Sequence, residues 1–174
     1  MISLLGYSNQ LNKMKKIKNI AIITSQGGHL GQIKLIFTSD VIRKDNCILV
    51  TEDLIPKVKY KSFLGKYTTY FFKKDSLLRL NPFLYILTLF KLIKILKNEK
   101  IDIIFTNGAQ ISIPAVIAGR ILGIKSVFID TVIRVKTPNW SAKACYMFAN
   151  LFWVQHENMA KKYGKMAEYV GGIV

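Results

Sequence analysis

Ser25-Gln26-Gly27-Gly28-His29-Leu30-Gly31 puts three glycines and a histidine between an apolar run and a helical pattern. Glycines let the backbone turn sharply and approach a ligand closely. A helix starting there offers unused N–H groups and a partial positive charge, both suited to phosphate. Ser25, Gly27 and Gly28 therefore read as substrate-binding positions. His29 reads as a general base or as a hydrogen-bond donor to a bound pyrophosphate. Two more stretches carry chemistry. Asn107-Gly108-Ala109 follows one apolar run and reads as a binding loop or as a turn. Asp130, Thr131 and Arg134 follow the next. The planar guanidinium of Arg134 suits a diphosphate, or else a surface position. Asp130 reads as a base for a substrate hydroxyl or as a helix cap.

The elements that must position these groups follow from the pattern. Apolar runs of strand length cover residues 17–24, 47–51, 68–72, 101–105, 125–129, 151–154 and 167–170. Helical patterns cover 30–42, 111–122, 141–149 and 155–164, and a long helix opens at Asn81-Pro82, with Pro suited to its first turn. Gly123 and Gly164 end two of the helices. Strands alternating with helices predict an α/β fold with a parallel sheet. The near-continuous apolar character of the strands places helices on both faces. Ligands bind such sheets outside the carboxyl ends of the strands, where all three polar stretches fall. Residues 17–174 read as one domain and residues 1–16 as an amino-terminal extension.

The glycine loop also invites comparison with the dinucleotide fingerprint. Gly28 and Gly31 fit its second and third glycines, but Gln26 holds the place of the first. Glu52 and Asp53 lie near the position of a ribose-binding acid. A nucleotide-binding oxidoreductase is therefore an alternative reading.

Composition narrows the field. In 174 residues, 26 Lys+Arg against 10 Asp+Glu give a formal charge of +16. That charge favours an anionic partner. Neither zinc-finger spacing nor an RNA-recognition aromatic motif is present, so the expected partner is not nucleic acid. Cys47 and Cys145 lie far apart in apolar stretches, as buried hydrophobes do. With two histidines, neither a metal nor another cofactor is expected. Residues 83–96 are the most apolar stretch, shorter than the roughly 20 residues a spanning helix needs. Lys91, Lys94 and Lys97 recur on one flank of this helix. Phe83, Tyr85 and Phe90, with these lysines, form a candidate membrane contact. A core helix with its lysines in water is the other reading. Trp140, Trp153 and Gln155 read as core or partner packing.

The strand followed by SQGGHLGQI resembles the S-G-G-H loop of PssD-like bacterial polysaccharide biosynthesis proteins, relatives of the membrane-anchored subunit of the eukaryotic two-part N-acetylglucosaminyltransferase that extends dolichol-linked sugar. The resemblance continues through VTEDL at 50–54, IDIIFTNGAQISIPAVIAGRILG at 101–123, SVFIDTVIRVKTPNWSAK at 126–143, LFWVQHE at 151–157 and the closing YVGGIV. It implies a Rossmann-like domain equivalent to the amino-terminal half of a GT-B glycosyltransferase such as MurG. It further implies an acceptor-side subunit that binds a polyprenyl-pyrophosphate-linked sugar, sits peripherally on the cytoplasmic face of the cell membrane, and recruits a separate nucleotide-sugar-binding subunit. A non-catalytic membrane scaffold is the variant of this reading in which His29 and Asp130 have no chemical role. Two positions depart from the family pattern. Thr106-Asn107-Gly108 stands where the family commonly has Gly or Ser-Thr-Gly, and Asp130 stands where Glu is common.

Overall fold

The computed structural model describes residues 19–25, 27–37, 47–53, 67–73 and 81–172. Its elements, in chain order, are β1 (Ile20–Thr24), α1 (Gly28–Phe37), β2 (Cys47–Asp53), β3 (Thr68–Lys73), α2 (Pro82–Asn98), β4 (Ile103–Thr106), α3 (Ser112–Leu122), β5 (Lys125–Ile129), α4 (Trp140–Phe148), β6 (Leu151–Val154), α5 (Glu157–Tyr163) and β7 (Ala167–Tyr169). The seven strands form one sheet in the order β3-β2-β1-β4-β5-β6-β7. Every pairing is parallel, as the alternation of strands and helices predicts. From β1 the chain builds outward through β2 and β3, then returns to place β4 on the other side of β1. The reversal creates a switch point at the carboxyl ends of β1 and β4, the place where open parallel sheets bind their ligands, in the crevice between diverging loops. The expected amino-terminal extension, Gln26 and the end of the first predicted helix lie outside the described residues.

Local sequence explains each boundary. Asn81 caps α2, its side-chain oxygen accepting from the N–H groups of Phe83 at 3.0 Å and Leu84 at 3.4 Å, with Pro82 just inside. Asn139 caps α4 in the same way through Ala142 N–H at 2.7 Å. Gly123 ends α3 in the left-handed conformation, φ 69°. α1 begins at Gly28, two residues before the helical pattern predicts. Glycine weakens helix interiors, but in a first turn the cost is small, so His29 sits inside the helix.

The sheet is covered on both faces. On one, Leu30, Ile33 and Ile36 of α1 pack on Ile22, Leu49, Ile103 and Phe105. On the other, Leu92 and Leu96 of α2 and Ala115 and Ala118 of α3 pack on Ala21, Ile23, Val50 and Ile104. The same face continues under α4 and α5, where Phe128, Phe152 and Val154 meet Cys145 and Met159. Both cysteines are buried and free, and burial pushes the Cys47 thiol up to about 12. No helix among the described residues is long and apolar enough to cross a membrane.

Candidate active site

The glycine loop, the 107–109 turn and the loop after β5 meet at the switch point. Gly27, φ 85°, turns the chain from β1 into α1, and Gly27 and Gly28 are exposed at its mouth. The first turn of α1 directs backbone N–H groups outward that the helix itself does not use. Ser25 is buried beneath, and the Thr24 hydroxyl donates to the Ser25 carbonyl.

Asn107 ties two loops together. The Thr24 hydroxyl donates to its side-chain oxygen at 2.6 Å, and its amide donates to the His29 carbonyl at 2.6 Å. Asn107 is 1% exposed, so both bonds form away from water. Its side chain acts as a clamp between β4 and α1 as well as belonging to a turn. Gly108 has φ 109°, a conformation that side chains resist. Its N–H donates to the Ser112 hydroxyl at 3.0 Å, and that hydroxyl also bonds the Gly108 carbonyl. Ala109 follows with φ 64°, a strained value for a residue with a side chain.

His29 packs edge-on against this turn. A Cβ at Gly108 would lie 2.9 Å from its Cε1 and 3.3 Å from its Nδ1. The Gly108→Ala protein is therefore expected to lose about 1–3 kcal/mol from backbone strain alone and to displace the imidazole. Urea unfolding would measure the first and the His29 ring resonances the second; unchanged values would show that the turn yields freely. Burial holds the His29 pKa below its ordinary value, and the nearby Arg134 charge lowers it further, against a raising contribution from the neighbouring Asn107 backbone. A neutral imidazole can accept a proton. Its Nδ1 is buried and has no hydrogen-bond partner among the described residues, as do Gln32 Oε1 and Arg134 Nε. Buried polar atoms of this kind are completed by water or by a ligand, and Arg134 Nε also faces the Asp130 carboxylate at 3.9 Å.

The third wall is the loop after β5. Asp130 is 3% exposed. One carboxylate oxygen accepts from Thr131 N–H at 2.9 Å, and the other from the Tyr163 hydroxyl at 3.0 Å. Arg134 Nε lies 3.9 Å from the first oxygen. The Gln155 amide donates to the Asp130 carbonyl at 2.7 Å, fixing the loop to the end of β6. His156 bonds the Val132 carbonyl. Gln32 of α1 donates to the Thr131 hydroxyl at 3.0 Å and bridges this loop to the glycine loop. Arg134 is thus on the same side of the molecule as Gly27 and Gly28, near enough to His29 to act on its pKa.

Burial raises the Asp130 pKa above 3.8, outweighing the lowering by Thr131, Tyr163, Arg134 and His156. The folded protein then holds this proton to higher pH than the unfolded chain. Stability contributed by the neutral form is lost as pH rises from 3.8 through the folded value. Asp130→Asn is accordingly expected to be more stable than the parent at pH 7, with the advantage shrinking as pH falls toward 3.8. Urea midpoints at the two ends of that window check this; a variant less stable at pH 7 would show that the hydrogen bonds outweigh burial.

Sequence reading overlooked Gln32, Ser112 and Tyr163. Gln32 falls one turn into α1 from His29, the only one of the three that helical spacing from the glycine loop would have flagged. Tyr163 is 33 residues from the carboxyl it holds. Of the other expected positions, Tyr85 is half-buried among the packing of α3 and α4, whereas Phe83 and Phe90 are 63% and 64% exposed. Trp153 is fully buried and Trp140 is partly exposed. Glu52, buried at the end of β2, lines a different cavity, beside Lys91 and Lys94.

A sequence model of the family described as "Oligosaccharide biosynthesis protein Alg14 like" matches residues 74–173. The chain belongs to this family. The Alg14-like chain is also 33% identical over 82 residues to the UDP-N-acetylglucosamine–N-acetylmuramyl-(pentapeptide) pyrophosphoryl-undecaprenol N-acetylglucosamine transferase of Staphylococcus haemolyticus. That stretch is 47% of the chain and 22% of the transferase, so only a fraction of the relative's length is matched. Among solved structures, Acinetobacter baumannii MurG superimposes with a TM-score of 0.67 at 13% identity, covering 87% of the Alg14-like chain and 45% of MurG. The UDP complex of S. aureus MnaA superimposes with a TM-score of 0.72 at 13% identity, covering 90% and 46%. At such identities the likeness is one of fold. It bears out a Rossmann-like domain matching about half of a GT-B chain.

Proposed function

We propose that this chain is the acceptor-side subunit of a two-chain glycosyltransferase. It binds a polyprenyl-pyrophosphate-linked sugar at the cytoplasmic face of the cell membrane, as a peripheral protein. A nucleotide-sugar-binding subunit meets it across the crevice. The observation that carries this reading is the convergence of the glycine-loop helix start, His29 and Arg134 at one switch point in a chain of the Alg14-like family.

In this arrangement Arg134, with the N–H groups of Gly28 and its neighbours, faces the acceptor diphosphate. His29, kept neutral, takes the proton from the acceptor hydroxyl as that oxygen bonds the anomeric carbon of the donor sugar; the bond from that carbon to the nucleotide diphosphate breaks, and the diphosphate leaves on the partner subunit. Asp130 holds the loop that carries Arg134. The exposed stripe of Phe83, Ile86 and Phe90, followed by Lys94 and Lys97, presents apolar and basic groups to an anionic bilayer. This stripe faces away from Leu92 and Leu96, so α2 packs on the sheet with one side and leaves the other for lipid.

The test is reconstitution. The purified chain is assayed with a nucleotide sugar and a polyprenyl-pyrophosphate-linked acceptor, alone and with a candidate partner. Transfer is expected only from the pair. Robust transfer by the single chain overturns the division of labour.

A further inference from the structure

A second cavity lies away from the crevice, between β3 and α2. Its volume is ≈ 420 Å³, inside the range of roughly 300–1,000 Å³ seen for small-ligand sites. Aromatic side chains of Tyr70 and Phe72 form one wall, and Leu84, Thr88 and Ile95 of α2 form the other. Lys91 and Lys94 line it too and are exposed to solvent, whereas Glu52, the one carboxylate among the described lining residues, is 8% exposed. Positive charge therefore stands at the opening, and the interior is mainly hydrocarbon and aromatic. Leu84, Thr88, Lys91 and Ile95 recur at helical spacing, so one flank of α2 is given to this cavity while the adjacent stripe carries Phe83, Ile86 and Phe90.

We infer that this cavity is a binding site for one hydrocarbon chain of an anionic membrane lipid, with the lipid's phosphate held by Lys91 and Lys94. A cationic mouth over an apolar interior matches an amphiphile with an anionic head and matches neither a sugar nor a free anion. Among the described residues, none of the glycine loop, the 107–109 turn or the loop after β5 lines it, and Ile111, beyond that turn, is its nearest approach in sequence to the acceptor site. Its placement beside the exposed apolar stripe rests on the membrane-contact reading, but occupation of the cavity does not require a bilayer.

The test uses monomeric decyl phosphate, below its micelle concentration, titrated into the full chain by calorimetry. One molecule is expected to bind per chain, with no saturable binding of inorganic phosphate and weaker binding of decanol. Thr88→Trp and, independently, Leu84→Trp fill the cavity and are expected to abolish binding while retaining the parent's circular dichroism. Replacing both Lys91 and Lys94 with Ala is expected to weaken binding about tenfold, as the loss of two exposed charge contacts should. Absence of decyl phosphate binding, or binding that survives both cavity-filling variants, overturns the inference. Co-sedimentation with phosphatidylglycerol vesicles reads the membrane contact separately. Vesicle binding without decyl phosphate binding sinks the cavity alone. Decyl phosphate binding without vesicle binding leaves the cavity standing and removes the membrane reading.

Discussion

His29→Gln is expected to lower sugar transfer by the proposed two-chain enzyme by about 10²–10⁴-fold, the usual contribution of a positioned general base. The expectation rests on two features of the ring. It stands beside the exposed glycines at the start of α1, where a phosphate-bearing ligand is best received. Burial and the Arg134 charge hold its pKa below the ordinary value, which favours the neutral form that takes a proton. Glutamine keeps hydrogen-bonding ability and similar bulk but cannot accept a proton. The Gln variant should therefore bind the partner and the lipid-linked acceptor normally and fail in the transfer step, with kcat reduced and KM nearly unchanged. The acidic limb of the pH–rate profile should disappear with it. Unimpaired turnover by the variant would leave His29 a packing residue for the Gly108 turn and favour the scaffold reading.

Phe152→Ala costs about 3–5 kcal/mol of stability, the range for truncating a buried aromatic side chain. Phe152 is fully buried in β6. It stacks on Phe128 at 4.8 Å and 14°, meets Tyr146 edge-on at 5.2 Å, and lies 4.6 Å from Tyr163. Tyr163 in turn stacks on Tyr146 at 6.0 Å. Removing Phe152 empties the centre of this group and loosens Tyr163, whose hydroxyl holds Asp130. Much of a typical domain's total stability, about 5–15 kcal/mol, is at stake, so the variant is expected to be partly unfolded at 37 °C. Denaturant unfolding measures the loss. A cost below about 1 kcal/mol would mean that the neighbouring rings close the gap. Because Tyr163 is both a member of the cluster and a partner of Asp130, Tyr163→Phe separates the roles. It keeps the stacking and removes one hydrogen bond from the carboxylate, and it should be far milder than Phe152→Ala.

Elements and boundaries were largely legible in the chain. Apolar runs at strand length, Asn81-Pro82, Gly123 and Gly164 act through neighbours a few residues away, and local sterics leave them few options. The start of α1 was misplaced because Gly28 looks like loop by propensity, whereas a helix end tolerates it. For α2, spacing put the three lysines on one flank, but the fold gives Lys91 and Lys94 to a cavity that Lys97 does not line. That division depends on where β3 and α2 meet, which no periodicity within α2 records.

The residue types at the carboxyl ends of β1, β4 and β5 follow from the sequence alone, because alternating strands and helices in a parallel sheet send those loops to one edge. Only the tertiary structure decided which of them touch: His29 against Gly108, Asn107 clamping α1 to β4, Gln32 reaching Thr131, and Tyr163 reaching back 33 residues to Asp130. Secondary structure is set by contacts within a few residues of each position. A site is set by where strands distant in the chain are brought side by side, and that depends on how the whole core packs.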